Sequence, residues 1–450
     1  MGRLFGTDGI RGVVGDDLTF ALAKSVGRAL VKILKESKSE RPTIVVGMDT
    51  RISSFNLADS LMVGICEAGG NAVNLDVCST PAVAYILRKH GYDAGVMISA
   101  SHNPWEYNGI KIFGSEGFKL DDELEEKIEA LILDTDDNFY PEKVMGSYSV
   151  LFEGIDEYTD YLINAFGTKL DGLKIGIDCA NGSASVTAEK VFKCLGAECV
   201  MLADNPDGMN INKDCGSTHL DGLKSLVVER GLDLGIAFDG DADRCLAVDK
   251  CGRVIDGDFI LAILAGSMKD EGKLNNNTLV GTVMSNLGLI NFCRENNIVF
   301  IGTKVGDRYV LEALNEGEFS LGGEQSGHII IRELATTGDG QLTALALLSR
   351  IIKSGKSLDA LADVMEKCPQ FMINVHADSE GKAALKTDEI INDAISCCEK
   401  EMGSCGRILI RPSGTEPLIR VMTEGSDPDM AEMICQKLAK IIEKRLAELK

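Results

Sequence analysis

Three stretches of this chain repeat one pattern, and the repeat constrains the fold more than any other feature. Each opens on an aliphatic strand that stops at small or polar residues: Thr43–Gly47, Lys174–Asp178 and Leu279–Val283. Each then passes through a helix-like stretch to a second strand, at Ala72–Val77, Glu198–Leu202 and Ile298–Ile301. A third strand follows and runs into an unusual polar cluster: Gly95-Val-Met-Ile-Ser-Ala-Ser-His102, Leu234-Gly-Ile-Ala-Phe-Asp-Gly-Asp241 and Phe319-Ser-Leu-Gly-Gly-Glu-Gln-Ser-Gly327. Strands alternating with helices predict βαβ units and a mostly parallel sheet, so the fold class is α/β. Ligands of such sheets bind at the carboxyl ends of the strands, so three domains could aim their third-strand loops at one central cleft.

From about Cys368 the pattern changes. A strand at Phe371–Val375, a helix at Lys382–Lys400 and paired strands at Arg407–Arg411 and Leu418–Met422 predict a small α+β domain. Asp427 is placed to cap a closing helix, with Pro428 in its first turn. A chain of 450 residues exceeds one ordinary core. The expected division is 1–152, 153–255, 256–367 and 368–450: three related mixed, mostly parallel βαβ domains and a C-terminal α+β domain around a central cleft.

Composition removes several functional classes. No run approaches the roughly 20 apolar residues of a membrane span, and Gly and Asp interrupt the N-terminus where a secretory peptide is apolar, so a cytoplasmic protein without a membrane partner is expected. The 14 cysteines are scattered without a Cys-x-x-Cys pair, which reads as reduced thiols rather than a zinc site. A net charge of −23 argues against a nucleic-acid partner. Any phosphorylated ligand would need cations gathered locally, and they gather at Arg411-Pro-Ser-Gly-Thr-Glu-Pro-Leu-Ile-Arg420. There the amides of a Ser-Gly-Thr turn, two hydroxyls and flanking guanidiniums make a phosphate cradle, although a plain hairpin turn would use Ser-Gly equally well.

Asp239-Gly-Asp-Ala-Asp-Arg244 follows a buried-type strand. Carboxylates at alternate positions can converge on one cation, and three hard oxygen ligands suit Mg²⁺. A calcium loop of the EF-hand type would want Gly where Arg244 stands and Glu where Lys250 stands. Ser99-Ala-Ser-His-Asn-Pro104 offers a nucleophile or phosphoryl carrier beside His102. Alternation puts Ser99 and Ser101 on one face, with Ser101 farther out, while the commoner fate of a loop serine is a helix cap. Gly322-Gly-Glu-Gln-Ser-Gly-His328 brings a carboxylate, an amide and a hydroxyl among glycines, suited to vicinal sugar hydroxyls or to a simple Gly-rich turn. Phe5-Gly-Thr-Asp-Gly-Ile-Arg-Gly12 could lend Thr7 and Arg11 to a phosphate, and Lys111 lies close to Ser101 in sequence.

Taken together, Ser-Ala-Ser-His-Asn-Pro, Asp-Gly-Asp-Ala-Asp-Arg, Gly-Glu-Gln-Ser-Gly-His and Arg-Pro-Ser-Gly-Thr-Glu-Pro occur in an order that resembles the α-D-phosphohexomutase family across essentially the whole chain. The opening Gly-Arg-Leu-Phe-Gly-Thr-Asp-Gly-Ile-Arg-Gly, Gln325 in place of a usual Met, and Glu416-Pro-Leu-Ile-Arg-Val-Met422 look most like the bacterial branch that works on glucosamine phosphates. One departure is Tyr107, where relatives commonly carry an acidic residue.

The resemblance implies four domains around a deep cleft, with Ser101 as a phosphoserine that completes a Mg²⁺ shell with Asp239, Asp241 and Asp243. It implies sugar hydroxyls on Glu324 and Ser326, and the non-transferring phosphate on Arg411, Ser413, Gly414, Thr415 and Arg420. Thr7, Arg11 and His102 join the substrate-binding set, Lys111 and His328 move protons, and Arg244 supports the transferring group. The implied reaction interconverts glucosamine 6-phosphate and glucosamine 1-phosphate through a sugar bisphosphate, a trace of which (the 1,6-bisphosphate) primes the enzyme. The implied partner is thus a small sugar phosphate, and members of the family often dimerise, which leaves a homodimer open. Rivals are a phosphoglucomutase/phosphomannomutase of the same family, a phosphatase using the aspartates and water, and an inactive sugar-phosphate-binding regulator.

Overall fold

The computed structural model describes all residues except 1–2, 7, 38, 135–140, 414–416 and 450. Two compact units emerge: Met1–Met284 with Asn296–Val364, and Ser285–Glu295 with Met365–Lys450.

Among its described residues the first unit holds three sheets, and one four-strand motif recurs in all of them. In the first, Thr43–Met48 pairs in parallel with Asn71–Val77 on one side and Ala94–Ile98 on the other. Tyr107–Gly114 then returns antiparallel against Ala94–Ile98. Lys174–Asp178, Glu198–Leu202, Leu234–Phe238 and Cys245–Asp249 repeat this order. Thr278–Thr282, Val299–Thr303, Leu321–Gly323 and Ile329–Ile331 repeat it again. The sequence predicts the parallel strands because continuous aliphatic runs suit strands covered on both faces, and Ala94–Ile98 and Leu234–Phe238 are buried throughout. The returning strand is the structural addition. It turns each polar cluster from a strand tail into the bend of a hairpin. A further hairpin, Phe5–Gly6 with Gly9–Val13, extends the first sheet along Tyr107–Gly114.

The second unit is a three-stranded antiparallel sheet with Leu418–Gly425 between Gln370–His376 and Gly406–Pro412. Its core joins Val375, Ile391, Cys398, Ile419, Val421, Ile434, Leu438 and Ile442. Where the sequence suggests one helix over 382–400, there are two, Ser379–Thr387 and Glu389–Met402. The break falls at Asp388, whose carboxylate accepts from the Ile391 amide at 3.0 Å and starts a fresh helix. Asp427 caps Pro428–Glu448 through the Met430 amide at 3.1 Å. The helix Leu287–Glu295 belongs to this unit because buried Glu424 accepts from the Leu287 amide at 2.8 Å and from Arg407 Nε at 2.5 Å.

Candidate active site

The bends that follow Ala94–Ile98, Leu234–Phe238 and Leu321–Gly323 meet around one buried cluster. Ser99 and Ser101 are on one face only by strand alternation, and the backbone separates them. Ser99 turns inward, donating to Asp49 Oδ2 at 2.7 Å and accepting from the Ser101 amide at 2.9 Å. Ser101 leaves the strand with φ at +53° and donates its hydroxyl to Asp239 Oδ2 at 2.6 Å. His102 Nδ1 lies 3.3 Å from the same hydroxyl. Burial, then Arg244 and Arg11, push the His102 imidazole down to about 4, so the ring is neutral at physiological pH.

Asp239, Asp241 and Asp243 offer carboxylate oxygens within 4.8 Å of one another, and all three residues are buried. They converge through a turn with Ala242 at φ +55°, rather than through extended alternation. Asp241 Oδ2 accepts from Thr80 Oγ1 at 2.5 Å and from Lys111 Nζ at 2.7 Å, and Asp243 Oδ2 lies 3.3 Å from Lys111 Nζ. Asp241 Oδ1 and Asp243 Oδ1 are buried without a hydrogen-bond partner. Burial, followed by the charges of Asp243 and Asp241, raises the Asp239 carboxyl well above the carboxylate range. Crowded, buried and partly unpaired carboxylates carry a large desolvation cost that a cation would relieve. The all-oxygen donor set, with the Ser101 hydroxyl against it, fits Mg²⁺.

Lys111 is brought here by the returning strand, paired in register with Met97, and its side chain is about 1% exposed. Burial lowers its pKa, but Asp241, Asp8 and Asp243 outweigh that and hold it well above the ordinary lysine value. Asp8 lies 3.5 Å from Lys111 and is also paired with Lys119 and Arg11. Burial raises its carboxyl, and the three cations overcome this and hold it far below the carboxylate range. Lys119 also pairs with Asp307. His328 sits between two carboxylates, with Nδ1 3.6 Å from Asp243 and Nε2 3.7 Å from Asp307. The Gly338 amide donates to Nε2 at 3.1 Å, which leaves the neutral ring's proton on Nδ1, facing Asp243. Burial lowers its pKa, and the Asp243 and Asp307 charges more than offset that. Arg244 Nε is 3.9 Å from both Asp239 and Asp243.

The third bend carries Glu324, whose Oε1 accepts from the Gly306 amide at 3.0 Å. Beside it, Gln325 Nε2 and Ser326 Oγ are buried atoms without a hydrogen-bond partner. Arg11 Nε is in the same condition. Asp8, Thr80, Lys119 and Asp307 are residues that motif reading misses. Only Asp8 lies inside a stretch singled out by sequence, Phe5–Gly12, and there Thr7 and Arg11 drew the attention. Thr7 itself lies outside the described residues.

In the second unit, Arg411 and Arg420 face each other in register across adjacent strands. Burial, then the Arg420 charge, lowers the Arg411 pKa. Two guanidiniums set side by side on adjacent strands concentrate positive charge and N–H donors, an arrangement that suits an anion such as phosphate. The Ser413 amide donates to the Leu418 carbonyl at 2.9 Å, and Lys382 Nζ donates to the Ser413 carbonyl at 2.6 Å. Gly414 and Thr415 lie outside the described residues.

Behind the aspartate loop, Asp339 caps the helix Gly340–Ser354 and accepts from Tyr158 Oη at 2.8 Å. The Gly340 amide donates to the Ala242 carbonyl at 3.0 Å, so this cap buttresses the aspartate turn. Burial pushes the Asp339 carboxyl up to about 6, above its unfolded value. The folded state therefore retains the proton longer, and the cost of burying the charge grows between about pH 4 and pH 6. Asp339→Asn keeps the oxygen that caps the helix and avoids that charge. Its stability relative to the parent should rise across this window, by on the order of 2 kcal/mol, and stay flat above it. Thermal midpoints at pH 4, 5, 6 and 8 check this, and a flat difference would refute it.

Models of the phosphoglucomutase/phosphomannomutase α/β/α domains I, II and III match residues 2–139, 156–252 and 256–368, and the C-terminal domain of that family matches 372–441. The phosphoglucosamine mutase of Acetivibrio thermocellus is 49% identical over 449 residues, covering 99% of this chain and 100% of the relative. That of Clostridium novyi is 49% identical over 450 residues, with 99% of each chain covered. Among solved structures, a phosphoglucomutase/phosphomannomutase family protein from Burkholderia thailandensis superposes with a TM-score of 0.83 at 23% identity, over 98% of this chain and 97% of that one. N-acetylphosphoglucosamine mutase of Aspergillus fumigatus, solved with GlcNAc-6P and magnesium, reaches a TM-score of 0.64 at 18% identity over 91% of this chain and 85% of its own. With all four domains matched in order and near-half identity over the full length, the chain belongs to the phosphoglucomutase/phosphomannomutase family, the α-D-phosphohexomutases.

Proposed function

We propose that this chain is a phosphosugar mutase that interconverts glucosamine 6-phosphate and glucosamine 1-phosphate, with Ser101 as the phosphoryl carrier. The observation that carries the reading is the Ser101 hydroxyl, 2.6 Å from Asp239 at the edge of three converging carboxylates. The near-half identity to proteins named phosphoglucosamine mutase supplies the sugar.

In the first half-reaction the free hydroxyl of the sugar phosphate attacks the phosphorus on Ser101. The Ser101 Oγ–P bond breaks as the sugar O–P bond forms, and one proton passes from the sugar hydroxyl to Oγ. The resulting 1,6-bisphosphate turns about and returns its other phosphoryl group by the same steps in reverse. Mg²⁺, held by Asp239, Asp241, Asp243 and Ser101, would offset charge on the transferring group. Lys111 keeps its proton among Asp241, Asp243 and Asp8, which suits a fixed positive charge, and its part in proton transfer is taken from the family resemblance. His328 holds a proton at Nδ1, and Arg244 faces the same aspartates. Glu324 and Ser326 bind sugar hydroxyls, with Arg11 and His102 in the substrate-binding set, while Arg411, Ser413 and Arg420 take the second phosphate. Thr7, Gly414 and Thr415 complete these sets by family resemblance. A sugar 1,6-bisphosphate primer, a fourfold division near 152, 255 and 367, cytoplasmic residence and a homodimer belong to the same reading. Among the described residues, no helix is long and apolar enough to cross a membrane.

Incubating the protein with glucosamine 6-phosphate, Mg²⁺ and a trace of bisphosphate should yield the 1-phosphate, with phosphate mapped to the Ser101 peptide. Stoichiometric release of free phosphate would indicate a phosphatase instead, and no product at all would indicate a binding role. Preference for glucose or mannose phosphates would favour the rival mutase activity. The amide of Gln325 is the residue to question there. Gln325→Met should lower glucosamine over glucose preference in kcat/KM about tenfold, the effect of losing one polar contact. An unchanged ratio would remove Gln325 from the specificity argument.

A further inference from the structure

The backbone conformation of Ser101 has a cause that lies outside the four motifs. A non-glycine residue at φ +53° is in the left-handed region, which L-residues avoid and which persists only where the surroundings impose it. What imposes it is a buried guanidinium. All five N–H donors of Arg51 are used. Nε donates to Asp49 Oδ2 at 2.8 Å. Nη2 donates to the carbonyls of Ser101 at 2.9 Å and Asn103 at 2.8 Å. Nη1 donates to the carbonyl of Tyr107 at 3.1 Å and to that of Pro104. The four carbonyls come from one short segment, the bend between Ala94–Ile98 and Tyr107–Gly114. Both members of the Arg51–Asp49 pair have fully buried side chains.

A second contact reaches the same carbonyls from the second sheet's domain. Asn212 Nδ2 donates to the Ser101 carbonyl at 2.9 Å and to the Asn103 carbonyl at 3.0 Å. On a third side, a Cβ at Gly240 in the aspartate loop would come within 2.6 Å of the Ser101 carbonyl. The Ser101 carbonyl is thus pulled inward by two donors and closed over by a glycine. With that peptide plane held, the serine side chain is left pointing the other way, at Asp239.

Resting on the mutase reading, we infer that Arg51 and Asn212 are positioning residues for phosphoryl transfer: they hold the Ser101 peptide in its left-handed turn and thereby aim the carrier oxygen at the aspartate cluster. Neither touches the sugar or the reacting atoms. The same aim is needed in both half-reactions, because the phosphoryl group must leave from and return to one position while the sugar turns.

The test uses the full-length protein with Arg51→Lys and Asn212→Ala, measuring kcat and KM for glucosamine 6-phosphate, the thermal midpoint, and hydrogen exchange of peptides spanning 99–107. Lysine reaches at most a few of the five acceptors, so folded Arg51→Lys should lose about 10²-fold in kcat with KM within about threefold of the parent. Asn212→Ala should lose about tenfold in kcat in the same manner. Exchange in the 99–107 peptides should rise selectively in both. If Arg51→Lys does not fold, Asn212→Ala decides. A folded variant with parental kcat, or a loss confined to KM, overturns the inference, as does unchanged exchange in the bend. A parent protein that makes no 1-phosphate would sink the mutase reading, while the exchange measurement would still decide whether these two residues hold the bend.

Discussion

Ser101→Ala should abolish interconversion, with turnover down by at least about 10⁴-fold and sugar-phosphate binding close to the parent level. The argument is local. The substitution removes the oxygen that carries the phosphoryl group on the proposed reading, while Glu324 and Ser326 keep their places. Alanine tolerates φ +53° no worse than serine, and the Ser101 amide still has Ser99 Oγ as its acceptor at 2.9 Å, so the bend should persist. Asp239 Oδ2 loses a donor, which should cost about 1–3 kcal/mol of stability without unfolding the bend. Intact mass should lose the phosphate adduct, and isothermal titration should retain binding. Turnover within tenfold of the parent would end the carrier role for Ser101.

Lys111→Met should be the other severe change, because it removes charge from the most crowded part of the cluster. The ammonium lies 2.7 Å from buried Asp241, 3.3 Å from buried Asp243 and 3.5 Å from half-buried Asp8. Methionine fills a similar volume and supplies no positive charge. Removing one partner of a buried pair typically costs about 3–5 kcal/mol, because the remaining carboxylates stay buried and uncompensated. In chelator the variant should unfold at a markedly lower midpoint than the parent. Added Mg²⁺ should restore part of the loss, about 2.7 kcal/mol at a hundredfold excess over its dissociation constant. Turnover should fall by about 10³-fold even with Mg²⁺ present, since the proposed reading assigns this fixed charge to the transferring group. Calorimetry in EDTA and in Mg²⁺ reads the first effect, and steady-state kinetics the second. Equal midpoints in EDTA would mean that the aspartates need no cation from the chain.

The polar clusters could be picked out from sequence because each follows a strand whose residues are nearly all aliphatic, and a polar group at such a boundary stands out. Asp239, Asp241 and Asp243 are also so close in sequence that any turn brings them together. Asp8 shows the opposite case. It lies in the same Gly-rich stretch as Arg11, and nothing local says that it would bridge Lys111 and Lys119. The helix break at Asp388 is not legible in the sequence, because a capping aspartate and an ordinary helical aspartate look alike until the backbone turns.

By itself, the sequence determined the α/β repeat, the altered C-terminal domain, the acidic triad and the family resemblance, all carried by residues adjacent in the chain or by the period of strand and helix. Only the tertiary structure turned Ser99 onto Asp49 and Ser101 onto Asp239, made each polar cluster a hairpin bend, and recruited Lys111 through a returning strand. It also placed Arg51 and Asn212, 50 and 111 residues from Ser101 in sequence, on the same carbonyl. The physical reason is that a strand end sets where a side chain starts, whereas its direction depends on partners for the neighbouring peptide groups. Those partners arrive only when distant segments pack.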